Sequence, residues 1–157
     1  MFQRSNKRIK NIMKAIRHFG IVVSDINKAL HFYRDLLGLK IRIDALEKGE
    51  FIDSILGLKN VEVRTIKMSA DDNSLIELLC YKSHPKKVMR KKEIYEIGAS
   101  HPAFTVKNLD CEYKKLKERR IKFICPPQIS PDGKAKVSFC YDPDGVPVEL
   151  VEPLDKK

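Results

Sequence analysis

Apolar and polar positions alternate in short runs along most of this 157-residue chain, and twice the period lengthens from two to three and four. His18-Phe-Gly-Ile-Val-Val is a strand-like run closed by the polar turn Ser24-Asp25. Beyond it Ile26, Ala29, Leu30, Tyr33, Leu36 and Leu37 recur at helical spacing until Gly38, which predicts a helix with an apolar stripe. His101-Pro-Ala-Phe-Thr-Val, the turn Lys107-Asn108, and then Leu109, Tyr113 and Leu116 repeat the arrangement. Asp25 and Asn108 have short acceptor side chains suited to capping the two helices. Alternating runs follow each helix, near 39–46, 60–68 and 74–81 in the first half and near 121–125, 135–141 and 146–152 in the second. The last two of each set are joined by turn-forming residues, Asp71-Asp72-Asn73 and Asp142-Pro143-Asp144-Gly145, and read as hairpins.

The chain therefore reads as a tandem repeat. The expected organisation is a basic extension over 1–13, a first βαβββ module over 14–81, a basic, Pro-containing linker over 82–97, a second βαβββ module over 98–153 and a tail over 154–157. Residues 50–57 have no counterpart in the second half and are expected to form a short helix or lid. The fold class is α+β.

Composition narrows the function classes. Hydrophobic residues make up 43% of the chain and charged residues 33%, which is enough apolar material for a core. No apolar run approaches the roughly 20 residues of a membrane helix, so no membrane partner is expected. Of the net charge of +10, nine charges lie in residues 1–12 and 86–92, leaving the rest close to neutral. A nucleic-acid binder would want a basic stripe interleaved with stacking aromatics, and none is present. The charge is read instead as solubility with some attraction for anionic small molecules. The basic start lacks the apolar stretch of a secretory signal. Met13, directly before the patterned region, is a second candidate initiator. The four cysteines, at 80, 111, 125 and 140, show no two-residue spacing, so neither a zinc knuckle nor a disulfide framework is expected, and a cytoplasmic location is.

Four residues carry candidate chemistry. Ile76-Glu77-Leu78-Leu79 and Val148-Glu149-Leu150-Val151 each place a carboxylate inside an apolar strand, which is costly without a partner. Each Glu ends a module that begins with a strand His, His18 or His101. Either Glu alone also fits the solvent side of a half-exposed strand, and either His alone fits a structural role. The repeated placement favours a shared partner, and a divalent cation would compensate both carboxylates while accepting imidazole nitrogen. His31, in the first helix, and His84, in the linker, are expected at the surface.

Several segments now carry a resemblance: Arg17-His-Phe-Gly-Ile-Val-Val-Ser-Asp, Phe32-Tyr-Arg-Asp-Leu-Leu-Gly-Leu, Ile76-Glu-Leu-Leu, Ser100-His-Pro-Ala-Phe-Thr-Val, and Tyr141-Asp-Pro-Asp-Gly-Val-Pro-Val-Glu-Leu-Val-Glu. Over about residues 14–153 the chain resembles the vicinal oxygen chelate superfamily, which includes glyoxalase I, methylmalonyl-CoA epimerase, extradiol dioxygenases, fosfomycin-modifying enzymes and bleomycin resistance proteins. The resemblance implies two βαβββ modules whose mixed sheet curls around a metal cup, in a homodimer. It implies metal ligation by His18, Glu77, His101 and Glu149, with Zn, Ni, Co, Mn or Fe as candidate ions. A complete His-Glu-His-Glu set is closest to glyoxalase I-like lyases, in which Glu149 matches the ligand that doubles as base and Glu77 the carboxylate across the cup. The implied function is metal-dependent enolisation of a small, possibly anionic, carbonyl or thioester substrate. An acyl-CoA epimerase of the methylmalonyl type is the alternative enzyme; there Glu47 and Glu50 are loose candidates for further carboxylates. A non-catalytic antibiotic-binding module is the alternative outside enzymes, and such members typically lack the ligands. No Arg precedes His101 in Ile97-Gly-Ala-Ser, so a glutathione adduct is not specifically implied.

Overall fold

A computed structural model describes residues 13–84 and 93–154. The basic extension, most of the linker and the last residues of the tail lie outside the described residues.

The first half folds as β1 (Phe19–Val22), α1 (Ile26–Leu30), β2 (Lys40–Lys48), α2 (Glu50–Leu56), β3 (Glu62–Ser69) and β4 (Leu75–Tyr81). The second folds as β5 (Ala103–Thr105), α3 (Leu109–Glu118), β6 (Gln128–Ile129), β7 (Ala135–Tyr141) and β8 (Pro147–Pro153). Each half forms its own four-stranded sheet, in the orders β1-β4-β3-β2 and β5-β8-β7-β6. The first strand of each half runs parallel to the last, and the other pairs are antiparallel. This is an α+β fold in which the helix of each repeat is the crossover that parallel pairing requires.

The expected caps and turns form. The Asp25 carboxylate accepts from the backbone N–H of Asn27 at 2.9 Å and of Lys28 at 3.1 Å. Asn108 Oδ1 accepts from the Cys111 N–H at 2.9 Å. In the first hairpin the Ala70 N–H donates to the Ser74 carbonyl at 3.1 Å, and Asn73 turns the chain at a φ of 64°. In the second the Asp142 N–H donates to the Val146 carbonyl at 3.0 Å, and Gly145 takes a φ of 84° that suits glycine.

Two elements depart from the sequence pattern. α1 runs on into a wider, π-helical turn over His31–Leu36, where the Leu37 N–H reaches back five residues to the Phe32 carbonyl at 3.0 Å. The wider turn brings adjacent Phe32 and Tyr33 both into the core, 1% and 0% exposed, with their rings edge to face at 4.9 Å. The strand expected over 121–125 is reduced to a single bridge, Phe123 with Cys140, and the paired edge resumes only at β6. Pro126 and Pro127 lie between the two pieces, and neither has an N–H to offer the ladder.

The first helical segment and α3 pack against inward sheet faces in one continuous core. Ile66, Met68, Ile76 and Leu78 come from the first sheet, Cys140, Val148 and Leu150 from the second, with Leu30, Phe32, Tyr33 and Leu36 from the first helical segment and Leu109 and Leu116 from α3. The halves are also joined by polar contacts. The Tyr33 hydroxyl donates to the buried Asp142 carboxylate at 3.0 Å, and the Ser24 N–H donates to Asp144 at 2.9 Å. No helix among the described residues is long and apolar enough to cross a membrane.

Candidate functional site

Because strand side chains alternate, burying Ile76 and Leu78 under the helices turns Glu77 to the opposite face of the first sheet. Burying Val148 and Leu150 does the same for Glu149. The two histidines sit just ahead of the first strands rather than inside them. His18 precedes β1 by one residue and His101 precedes β5 by two.

The parallel register then decides the pairing. Gly20 lies opposite Glu77 and Ala103 lies opposite Glu149, so each His stands two residues before the partner of its module's Glu. The outcome is the same in both halves. His18 Nε2 lies 3.1 Å from Glu77 Oε2, and His101 Nε2 lies 3.2 Å from Glu149 Oε2. Glu77 and Glu149 retain 13% and 22% of their side-chain exposure, so both pairs remain reachable from outside.

These N···O separations suit a hydrogen bond, and they equally suit two donors on one ion. Ligands bound at right angles to a cation about 2.1 Å away lie about 3.0 Å apart. The donor types, imidazole nitrogen and carboxylate oxygen, fit a divalent transition metal. His18 Nδ1 is buried and has no hydrogen-bond partner. The four residues nevertheless come together as two pairs. Among the described residues, no three His, Cys, Asp or Glu side chains converge closely enough to hold a metal.

The surroundings of the pairs differ. In the first module Lys67 lies directly across the β3–β4 ladder from Glu77, with Nζ 3.3 Å from Oε1. Sequence reading missed this residue. Its strand, Glu62-Val-Arg-Thr-Ile-Lys-Met-Ser, carries other charges, so no local signal set Lys67 apart. In the second module the matching position across from Glu149 is Phe139, whose ring stands edge to face with His101 at 5.1 Å. The insertion forms α2 as expected, and it packs Ile52 against Val61, Val63, Leu79 and Tyr81. Val63, Leu79 and Tyr81 share the face of Glu77, so α2 covers one end of that face. Glu47 lies opposite Val63 near the end of β2, and Glu50 opens α2; neither joins the His–Glu pairs. His31 pairs with Asp35 at 3.3 Å at the exposed surface as expected, whereas His84, beside Ser83 at 2.8 Å and edge to face with Tyr81, is half-buried.

The repeat architecture has relatives. The sequence profile of the Glyoxalase/Bleomycin resistance protein/Dioxygenase superfamily matches residues 15–150. The chain belongs to that superfamily. A glyoxalase family protein of Bacillus cereus shares the fold with a TM-score of 0.84 at 22% identity, over 94% of this chain and 99% of that one. The uncharacterized protein YwkD of Bacillus subtilis is 28% identical, over 90% of this chain and 98% of its own. A probable lactoylglutathione lyase of Synechocystis is 27% identical, over 89% of this chain and 96% of its own. Glyoxalase-superfamily membership thus agrees with the resemblance in the motifs.

Proposed function

We propose that this chain is a metal-dependent, glyoxalase-like lyase or isomerase that acts as a homodimer on a small carbonyl or thioester compound. The observation that carries the reading is the His–Glu pair repeated at identical register in both modules. One chain supplies two half-sites, so the reading places His18 and Glu77 of one copy against His101 and Glu149 of another. Ile43, exposed on β2 opposite Lys67 and so on the Glu77 face, is consistent with a second copy covering that face.

A divalent cation held by the two pairs would supply a Lewis acid for the substrate oxygens. The residues do the rest. Glu149 accepts the proton from the carbon beside the carbonyl and returns it to the product. Glu77 and the two imidazoles would hold the ion, and through it fix where the substrate oxygens bind. Phe139 excludes water from the Glu149 side, which keeps the carboxylate a more effective base.

Elemental analysis of the untagged protein tests this, after reconstitution with each candidate ion. Wild type is expected to hold about one metal per chain, and His101→Ala and Glu149→Gln to hold much less. Wild type that takes up no divalent ion overturns the metal-dependent reading.

A further inference from the structure

The two half-sites are built on the same register but carry different chemistry around the glutamate. On the β3 face that bears Lys67, the flanking positions are Thr65 and Ser69; on the β7 face that bears Phe139, they are Val137 and Tyr141. One half is polar and cationic, the other apolar and aromatic. Lys67 lies between Ile66 and Met68, and its side chain keeps 27% of its exposure, so the ammonium is reachable from outside. Glu77 is held from two sides, by His18 at one oxygen and by Lys67 at the other. A ligand that reaches Glu77 therefore meets the ammonium at the side of the carboxylate away from His18. A second cation lies on the same edge, where Arg42 Nε donates to Ser69 Oγ at 2.7 Å.

We propose that Lys67 is a specificity-determining residue that selects substrates carrying a carboxylate next to the reacting carbonyl or thioester carbon. This rests on the metal-dependent reading above and deepens it. The ammonium is a compact point charge with three donors, suited to a carboxylate oxygen rather than a planar fork. Phe139, across the completed site, takes the apolar side of the same molecule. The substrate class is then a small acid with adjacent oxygen functions, one anionic and one to be polarised.

Oxalate, an anion of this shape, and oxamide, its neutral counterpart, are the probes. Their binding to Co²⁺-reconstituted full-length protein is measured by calorimetry, with Co²⁺ content and affinity determined in parallel. Wild type is expected to prefer oxalate. At saturating Co²⁺, Lys67→Met is expected to weaken oxalate about tenfold or more, the order lost with one charge-assisted hydrogen bond, and to leave oxamide binding unchanged. Lys67→Arg, which keeps the charge, is expected to retain most of the oxalate affinity and guards against a misfolded Met variant. Lys67→Met binding oxalate as wild type does overturns the proposal, as does an equal loss for oxalate and oxamide. Wild type that takes up Co²⁺ but shows no preference for oxalate overturns it while leaving the metal reading intact. Wild type that takes up no Co²⁺ overturns both.

Discussion

Replacing Asp142 with Ala should be among the most damaging single changes outside the His–Glu pairs. Asp142 is 5% exposed, and its carboxylate accepts three hydrogen bonds, one of them across the joint between the two halves. Its donors are the Tyr33 hydroxyl at 3.0 Å, the Asp144 N–H at 2.9 Å and the Val146 N–H at 2.8 Å. Asp142→Ala leaves all three without an acceptor. A buried donor left unsatisfied costs about 1–3 kcal/mol. Tyr33 is fully buried and bears the upper part of that range, whereas the turn N–H groups recover part of theirs from entering water. The expected loss is about 3–5 kcal/mol, which for a chain of this size lowers Tm by about 10 °C or more. Tyr33→Phe removes one donor and should cost about 1–2 kcal/mol. The two changes share one bond, so in the Asp142→Ala background Tyr33→Phe should cost close to nothing further. Differential scanning calorimetry of the two single variants and the double variant reads all of this. A shift of under 2 °C for Asp142→Ala, or strict additivity in the double variant, would refute the claim that this bond ties the halves together.

Two further outcomes follow from the same core. Burial raises the Asp142 carboxyl above the usual carboxylate range, against the lowering effect of the Val146 N–H and the Tyr33 hydroxyl. A pKa raised in the fold contributes stability that is complete below the unfolded value of about 3.9 and is lost as pH rises through the folded value. Asp142→Asn, which has no proton to lose, should therefore gain on wild type in chemical denaturation as pH rises from about 4 toward neutrality; a constant difference across that range would contradict it. Burial also pushes the Cys140 thiol up to about 12, and its side chain is 0% exposed, whereas Cys111 is exposed. In native protein treated with iodoacetamide at neutral pH, mass spectrometry should find Cys111 modified and Cys140 untouched; early labelling of Cys140 would contradict the packing described.

The repeat was legible because it rests on local rules. A change of period, a capping Asp25 or Asn108, and turns rich in Asp, Asn and Gly each fix an element from a few neighbouring residues. The two glutamates were legible because a charge inside an apolar strand needs a reason wherever the strand packs. The π-helical turn was not, since burying Phe32 beside Tyr33 depends on a core supplied by both halves, and no residue within the helix announces it. The edge of the second sheet was misread because the apolar run at 121–125 carries strand propensity, while Pro126 and Pro127 beyond it limit the ladder. Lys67 escaped because its meaning lies in register. Only the pairing of β3 with β4 shows that it faces Glu77 and that Phe139 holds the matching place. The grouping of the donors is a matter of how sheets sit in space, and spacing along the chain cannot distinguish two pairs from a set of four.

The central claim is that each metal site is completed by half-sites from two copies, and mixed dimers test it most directly. His18→Ala and His101→Ala chains, each carrying a different affinity tag, are co-expressed, and the doubly tagged dimer is isolated for elemental analysis. Either homodimer should hold little metal, since every site lacks one imidazole. In the mixed dimer one site gathers both substitutions and the other gathers none. The account requires about half a metal per chain in the mixed dimer, bound as tightly as in wild type. Mixed dimers as empty as the parent homodimers, beside a wild type that holds one metal per chain, would contradict it and place the site within a single chain.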